Sequence, residues 1–163
     1  MRRLFQHLLF FPWRLRQIFK QAALAAIERE IAASELRHSG QIRFVVEANL
    51  DLLQLLRGLS SRRRALELFT HLRVWDTELN NGVLIYLLLA EHRVEIVADR
   101  GFNTKLEPLV WQDICQRLQK RLQQGDYEAG VCACIRDVDA QIVAHFPPTG
   151  AGVNELPDRP VIL

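Results

Sequence analysis

The sequence predicts an α/β protein, a three-layer α/β/α sandwich around a small mixed sheet. Three observations carry this prediction. "GVLIYLLLA" is an uninterrupted apolar run of strand length, which suits a central strand covered on both faces. "QIRFVVEANL" and "RVEIVA" alternate apolar and polar residues, as half-buried strands do. The remaining long segments place apolar residues at helical spacing and so supply the outer layers. A chain of 163 residues fits one domain with its own core.

Residues 1–20 read as a basic amphipathic arm. Five basic residues (Arg2, Arg3, Arg14, Arg16, Lys20) precede Glu28, the first acidic one, and the remaining 16 face 19 acidic residues. Leu4, Phe5, Leu8, Phe11, Leu15, Ile18 and Phe19 fall on one helical face, with His7, Arg14 and Gln17 opposite and a kink expected at Pro12. The opening resembles a secretory signal, but Arg14, Arg16 and Lys20 interrupt the path to the small residues at "AALAA". Leu4 to Phe11 is too short to span a bilayer. Such an arm either packs on a core or partner, or lies in a membrane interface.

The body runs over residues 21–146. "QAALAAIEREIAASEL" is alanine-rich with Leu24, Ile27 and Ile31 at helical spacing. A strand at Gln41–Ala48 follows a turn at His38–Gly40. Ser60 or Ser61 caps the next helix, whose Ala65, Leu68, Phe69 and Leu72 face inward. The central strand, Val83–Leu89, turns at Glu91–His92 into a hairpin partner, Arg93–Ala98. Pro108 starts a helix that Gly125 closes, and Asp126 is expected to cap a last helix with Val131, Ile135, Val138, Ile142 and Phe146 inside. Residues 147–163 are rich in Pro and Gly without periodicity and read as an extended tail.

Charge and cysteine usage exclude some classes. The body is mildly acidic, which argues against nucleic acid as a partner. Cys132 and Cys134 lie two apart on a predicted helix and point to different faces, so a reducing compartment fits better than a disulfide framework. The expected location is the cytoplasm, with the inner membrane surface as a place of action for the arm.

The chemistry converges on one sheet edge. Since the hairpin partner runs antiparallel to the central strand, Asp99-Arg100-Gly101 must lie beside Asn81-Gly82. Asp76, Glu78, Asn80, Asn81 and Asp99 then offer the hard oxygens that calcium or magnesium prefers. The same residue types also suit a turn with capping side chains, so both readings stand.

The stretch "NNGVLIYLLLAEHRVEIVADRG", preceded by "IRFVVEA" and "RALELFTHLRVWDTE", resembles the TPM domain family from about Leu36 to Phe146. Asn81-Gly82 before the apolar strand is its most specific element, and the ending "NELPDRPVIL" is similar to the short bacterial form without anchor or Gly-rich tail. The resemblance implies the α/β/α sandwich, the divalent-cation binding of some members, and a disputed phosphatase label. Where relatives often carry a Gly-rich turn after the third strand, this chain has Asp99-Arg100-Gly101.

Two functions follow as expectations. One is a non-catalytic divalent-cation-binding accessory domain acting with a protein partner or at a membrane surface. The other is a weak metal-dependent phosphatase, with Arg100 holding phosphate oxygens. Cys115 to Arg121 matches the spacing of a cysteine phosphatase loop, but it falls inside a helix whose N–H groups are already used. The histidines His38, His71, His92 and His145 read as surface, turn or helix-end residues.

Overall fold

A computed structural model describes residues 2–148 and 154–163. The elements run α1 (Arg2–Leu9), α2 (Pro12–Ile18), α3 (Gln21–Glu35), β1 (Gln41–Glu47), α4 (Leu52–Leu56), α5 (Ser61–His71), β2 (Gly82–Leu88), β3 (Arg93–Ala98), α6 (Pro108–Gln123), α7 (Glu128–His145) and β4 (Val161–Ile162). The four strands lie in the order β3-β2-β1-β4. β1 pairs parallel with β2 and with β4, while β2 and β3 pair antiparallel, with Val83 opposite Ala98.

All seven residues of β2 are buried, as its unbroken apolar run requires. Ile42, Phe44, Val46, Val83, Ile85 and Leu87 face one core with α3, α6 and α7. Val45, Leu84, Tyr86 and Leu88 face a second core with Ala65 and Leu68 of α5. The result is the predicted three-layer sandwich.

Several local expectations change. The turn between β2 and β3 is a 3-10 turn, Leu89–Glu91, closed by His92 in the left-handed region at φ 48°. Asp126 does not cap α7; its carboxylate pairs with Arg121 Nε at 2.8 Å, and α7 begins without a side-chain cap. Ser60, by contrast, does cap α5 by accepting from Arg63 N at 3.2 Å. The short helix α4 was not foreseen, although Asp51 and Gln54 form a reciprocal capping box around it.

Of the predicted tail, residues 149–153 lie outside the described residues. Residues 154–163 do more than extend over the surface. Leu156 is buried in the second core, and Val161–Ile162 add the edge strand beside β1. Leu163 N donates to Val46 O and Ala48 N donates to Leu163 O, continuing that pairing.

The arm is docked, and its first helix is turned over relative to the amphipathic reading. Leu15 and Phe19 belong to the main core. In α1, however, His7 is the buried residue, at 1% exposure, while Phe5 and Leu8 face solvent. The cause is hydrogen bonding. His7 Nδ1 accepts from Leu50 N at 3.0 Å, so its Nε2 carries the proton and donates to Glu91 Oε1 at 2.7 Å. Arg3 reaches the same carboxylate at 2.7 Å and also donates to Leu59 O. Burial pushes the Glu91 carboxyl up, but His7 and Arg3 outweigh it and hold the group below its ordinary value.

We call the end where β1 and β2 finish the trailing end, and the end where they begin the leading end. The trailing end holds a second paired cluster. Glu47 receives both Arg64 Nε (3.0 Å) and Nη2 (2.8 Å), and Tyr86 donates its hydroxyl at 2.6 Å.

Candidate functional site

The leading end gathers the residues singled out in the sequence. Asp99 N donates to Gly82 O at 2.9 Å, Gly101 N donates to Asn80 O at 2.9 Å, and Arg100 Nε donates to Asn80 Oδ1 at 2.9 Å. "DTELNN" and "DRG" therefore meet, as the hairpin geometry demanded. Two glycines permit the approach. A Cβ on Gly101 would stand 2.4 Å from Asn80 O, and one on Gly82 would stand 2.0 Å from Val74 O. Asn80 itself takes the left-handed conformation, φ 51°, which Asn tolerates better than most residues.

The individual side chains differ in setting. Asp76 and Glu78 are exposed on the loop, and Asn80 is half-buried. Asn81 is fully buried; its Nδ2 donates to Ser39 O at 3.1 Å, while its Oδ1 has no partner. Asp99 is 8% exposed; Oδ1 accepts from Arg100 N at 2.7 Å and caps a 3-10 turn, while Oδ2 has no partner. Among the described residues, no group of three or more His, Cys, Asp and Glu side chains is placed to hold a metal ion. A cation here would draw on Asp99 together with amide and backbone oxygens, a donor set that calcium and magnesium accept and zinc does not favour.

Sequence reasoning missed several contributors. Thr77 is buried and its Oγ1 accepts from Asn81 N at 3.1 Å, fixing the loop. Gln41 Oε1 accepts from both Glu155 N and Leu156 N at 2.9 Å, and Glu155 Oε2 accepts from Glu78 N at 2.9 Å. The C-terminal segment thus adds a carboxylate to this end. A threonine four residues before the buried asparagine was the available signal for Thr77; nothing local marks Glu155.

The turn from α3 into β1 brings a third group to the same end. His38 was expected at the surface but is buried, with neither ring nitrogen paired and Nε2 at 3.5 Å from Asp139 Oδ1. Burial lowers its pKa in spite of that carboxylate. Arg37 holds the other oxygen of Asp139 at 2.7 Å. Glu35 accepts from Ile42 N at 2.8 Å; burial, with Asp158 beside it, pushes its carboxyl up to about 8. Glu35 Oε2, both His38 nitrogens, Asn81 Oδ1, Asp99 Oδ2 and Asp139 Oδ1 are the buried, unpaired side-chain polar atoms among the described residues. All lie at the leading end. Each such atom costs about 1–3 kcal/mol when nothing meets it, so their concentration marks a place suited to a polar ligand.

Other parts of the surface carry less chemistry. A cleft of about 440 Å³ runs along β3 and α6, away from these groups. Cys115 lines it, but burial pushes the thiol up to about 12, so it remains protonated within α6. His92 stands at the trailing end of β2, and His71 is exposed with Nδ1 2.8 Å from Glu67 O.

The family model of the TPM domain matches residues 15–141. The chain belongs to the TPM domain family. The match begins at Leu15, where the arm enters the main core. Among solved structures, this TPM chain is similar to the BA42 protein of the psychrophilic bacterium Bizionia argentinensis, determined by NMR. The two share 25% sequence identity with a TM-score of 0.76, over 87% of this chain and 93% of that one. No curated protein matches it.

Proposed function

We propose that this TPM domain is a non-catalytic accessory domain that binds a divalent cation, calcium or magnesium, at the leading end of its sheet. It acts with a protein partner or at the cytoplasmic face of the inner membrane. One observation carries the reading: the unpaired, buried oxygen of Asp99 beside a loop rich in oxygen donors. Asn80 and Asn81 supply amide oxygens, and the exposed carboxylates of Asp76 and Glu78 on the adjoining loop add negative charge that attracts the ion. The unpaired cysteines Cys115, Cys132 and Cys134 support a reducing compartment.

Binding to the folded state alone raises its melting temperature by mass action. Millimolar calcium or magnesium is expected to raise Tm, and Asp76→Asn with Asp99→Asn is expected to abolish the rise. A wild-type Tm indifferent to both ions would overturn the proposal.

The alternative is a weak metal-dependent phosphatase. It is favoured by Arg100, which is exposed at this end and anchored by Asn80, where it can meet phosphate oxygens. Hydrolysis of a generic phosphomonoester, lost in Asp76→Asn/Asp99→Asn and in Arg100→Ala, would select this reading over the first.

A further inference from the structure

The trailing end presents an apolar, basic surface that the core does not use. α1 and α4 are neighbours there: Leu50 and Leu59 flank α4, and α1 binds both through His7 Nδ1 and Arg3 Nη2. Phe5, Leu9, Phe11 and Trp13 on the arm, and Leu53 and Leu56 on α4, are each more than half exposed. Soluble monomers seldom leave so many large apolar side chains facing water on adjacent elements. The charged residues within these helices and flanking the arm are cationic. Arg14, Arg16, Lys20 and Arg57 are exposed. The acidic residues beside these helices are engaged, Glu91 of the 3-10 turn with Arg3 and His7, and Asp51 as the cap of α4.

We propose that α1, α2 and α4 together form a docking face for an anionic phospholipid bilayer. Short amphipathic helices with aromatic and leucine side chains beside Lys and Arg lie in the headgroup region, held by apolar burial and by attraction to acidic lipids. Trp13 and Phe11 suit the interface level, where aromatic rings are favoured. No helix among the described residues is long and apolar enough to cross a membrane, so the contact would be peripheral. The inference names the surface for the membrane side of the reading above. It rests on the opposite end of the sheet from the cation.

The test is co-sedimentation of the full chain with phosphatidylcholine vesicles, with or without about 30% phosphatidylglycerol, in EDTA so that no cation contributes. Binding is expected only with the acidic lipid, falling about tenfold at about 0.5 M salt. Leu9→Ser with Leu53→Ser is expected to weaken it about tenfold at unchanged Tm, since both side chains are exposed. A blue shift of the tryptophan emission on binding is expected to vanish in Trp13→Phe. Three results would overturn the proposal: no binding to acidic vesicles at low salt; undiminished binding by the serine variant; or, without vesicles, a dimer that the serine variant dissolves, which would assign the face to a second copy of this chain. Because the assay contains EDTA, failure of the cation proposal leaves its outcome unaffected.

Discussion

The two ends of the sheet treat buried polar groups in opposite ways. At the trailing end Glu47 is met by Arg64 and Tyr86, and Glu91 by Arg3 and His7. At the leading end Glu35, His38, Asn81, Asp99 and Asp139 each keep at least one buried atom unpaired. Paired clusters rigidify a fold, whereas unpaired ones cost stability that only a ligand or water can recover. Within one small sheet, one end meets its buried polar groups internally and the other leaves them open to a ligand or water.

The largest test removes a partner from the trailing end. Glu47→Ala leaves a half-buried guanidinium and a buried hydroxyl without their acceptor, and is expected to cost about 3–5 kcal/mol in urea unfolding. His7→Ala strands Leu50 N and one side of Glu91, with an expected loss of about 2 kcal/mol. If either variant is as stable as wild type, the trailing end is not the architectural one.

A sharper test is pH. The folded state holds the Glu35 proton up to about 8, against an ordinary value of 4.5, so it binds more protons than the unfolded chain in that window. This contribution to stability is fullest below the lower value and is lost as pH rises through the higher one. Across that range the denaturation midpoint should fall with pH for wild type relative to Glu35→Gln, the difference removing the opposite contribution of His38, which both proteins share. The smallest effect belongs to Asp99→Asn, which keeps the oxygen that caps the 3-10 turn. It is expected to change apo stability by less than about 0.5 kcal/mol. A loss as large as that of Glu47→Ala would place Asp99 with the architecture.

The fold was largely legible because its strongest signals are local. The apolar run of β2, the alternation of β3 and Pro108 at the start of α6 each state their own environment. The meeting of Asn80 with Arg100 was legible too, since antiparallel pairing leaves one geometry for it. What escaped depends on partners distant in sequence. β4 is two residues long and becomes a strand only because β1 offers an edge. His7 lies on the polar side of α1 by composition, yet that side turns inward because Leu50 N and Glu91 need it. Asp126 has a capping residue's chemistry, but Arg121 takes its carboxylate first.

The Glu47 cluster also supplies an optical signal of unfolding. Burial, reinforced by the neighbouring carboxylate, raises the Tyr86 phenol far above its ordinary value of 10.0. It therefore cannot form the ultraviolet-absorbing phenolate while the sheet is intact. The chain has two tyrosines, Tyr86 and Tyr127. In an alkaline titration the absorbance step from Tyr86 should arrive together with loss of circular dichroism, as one cooperative event whose position shifts with urea.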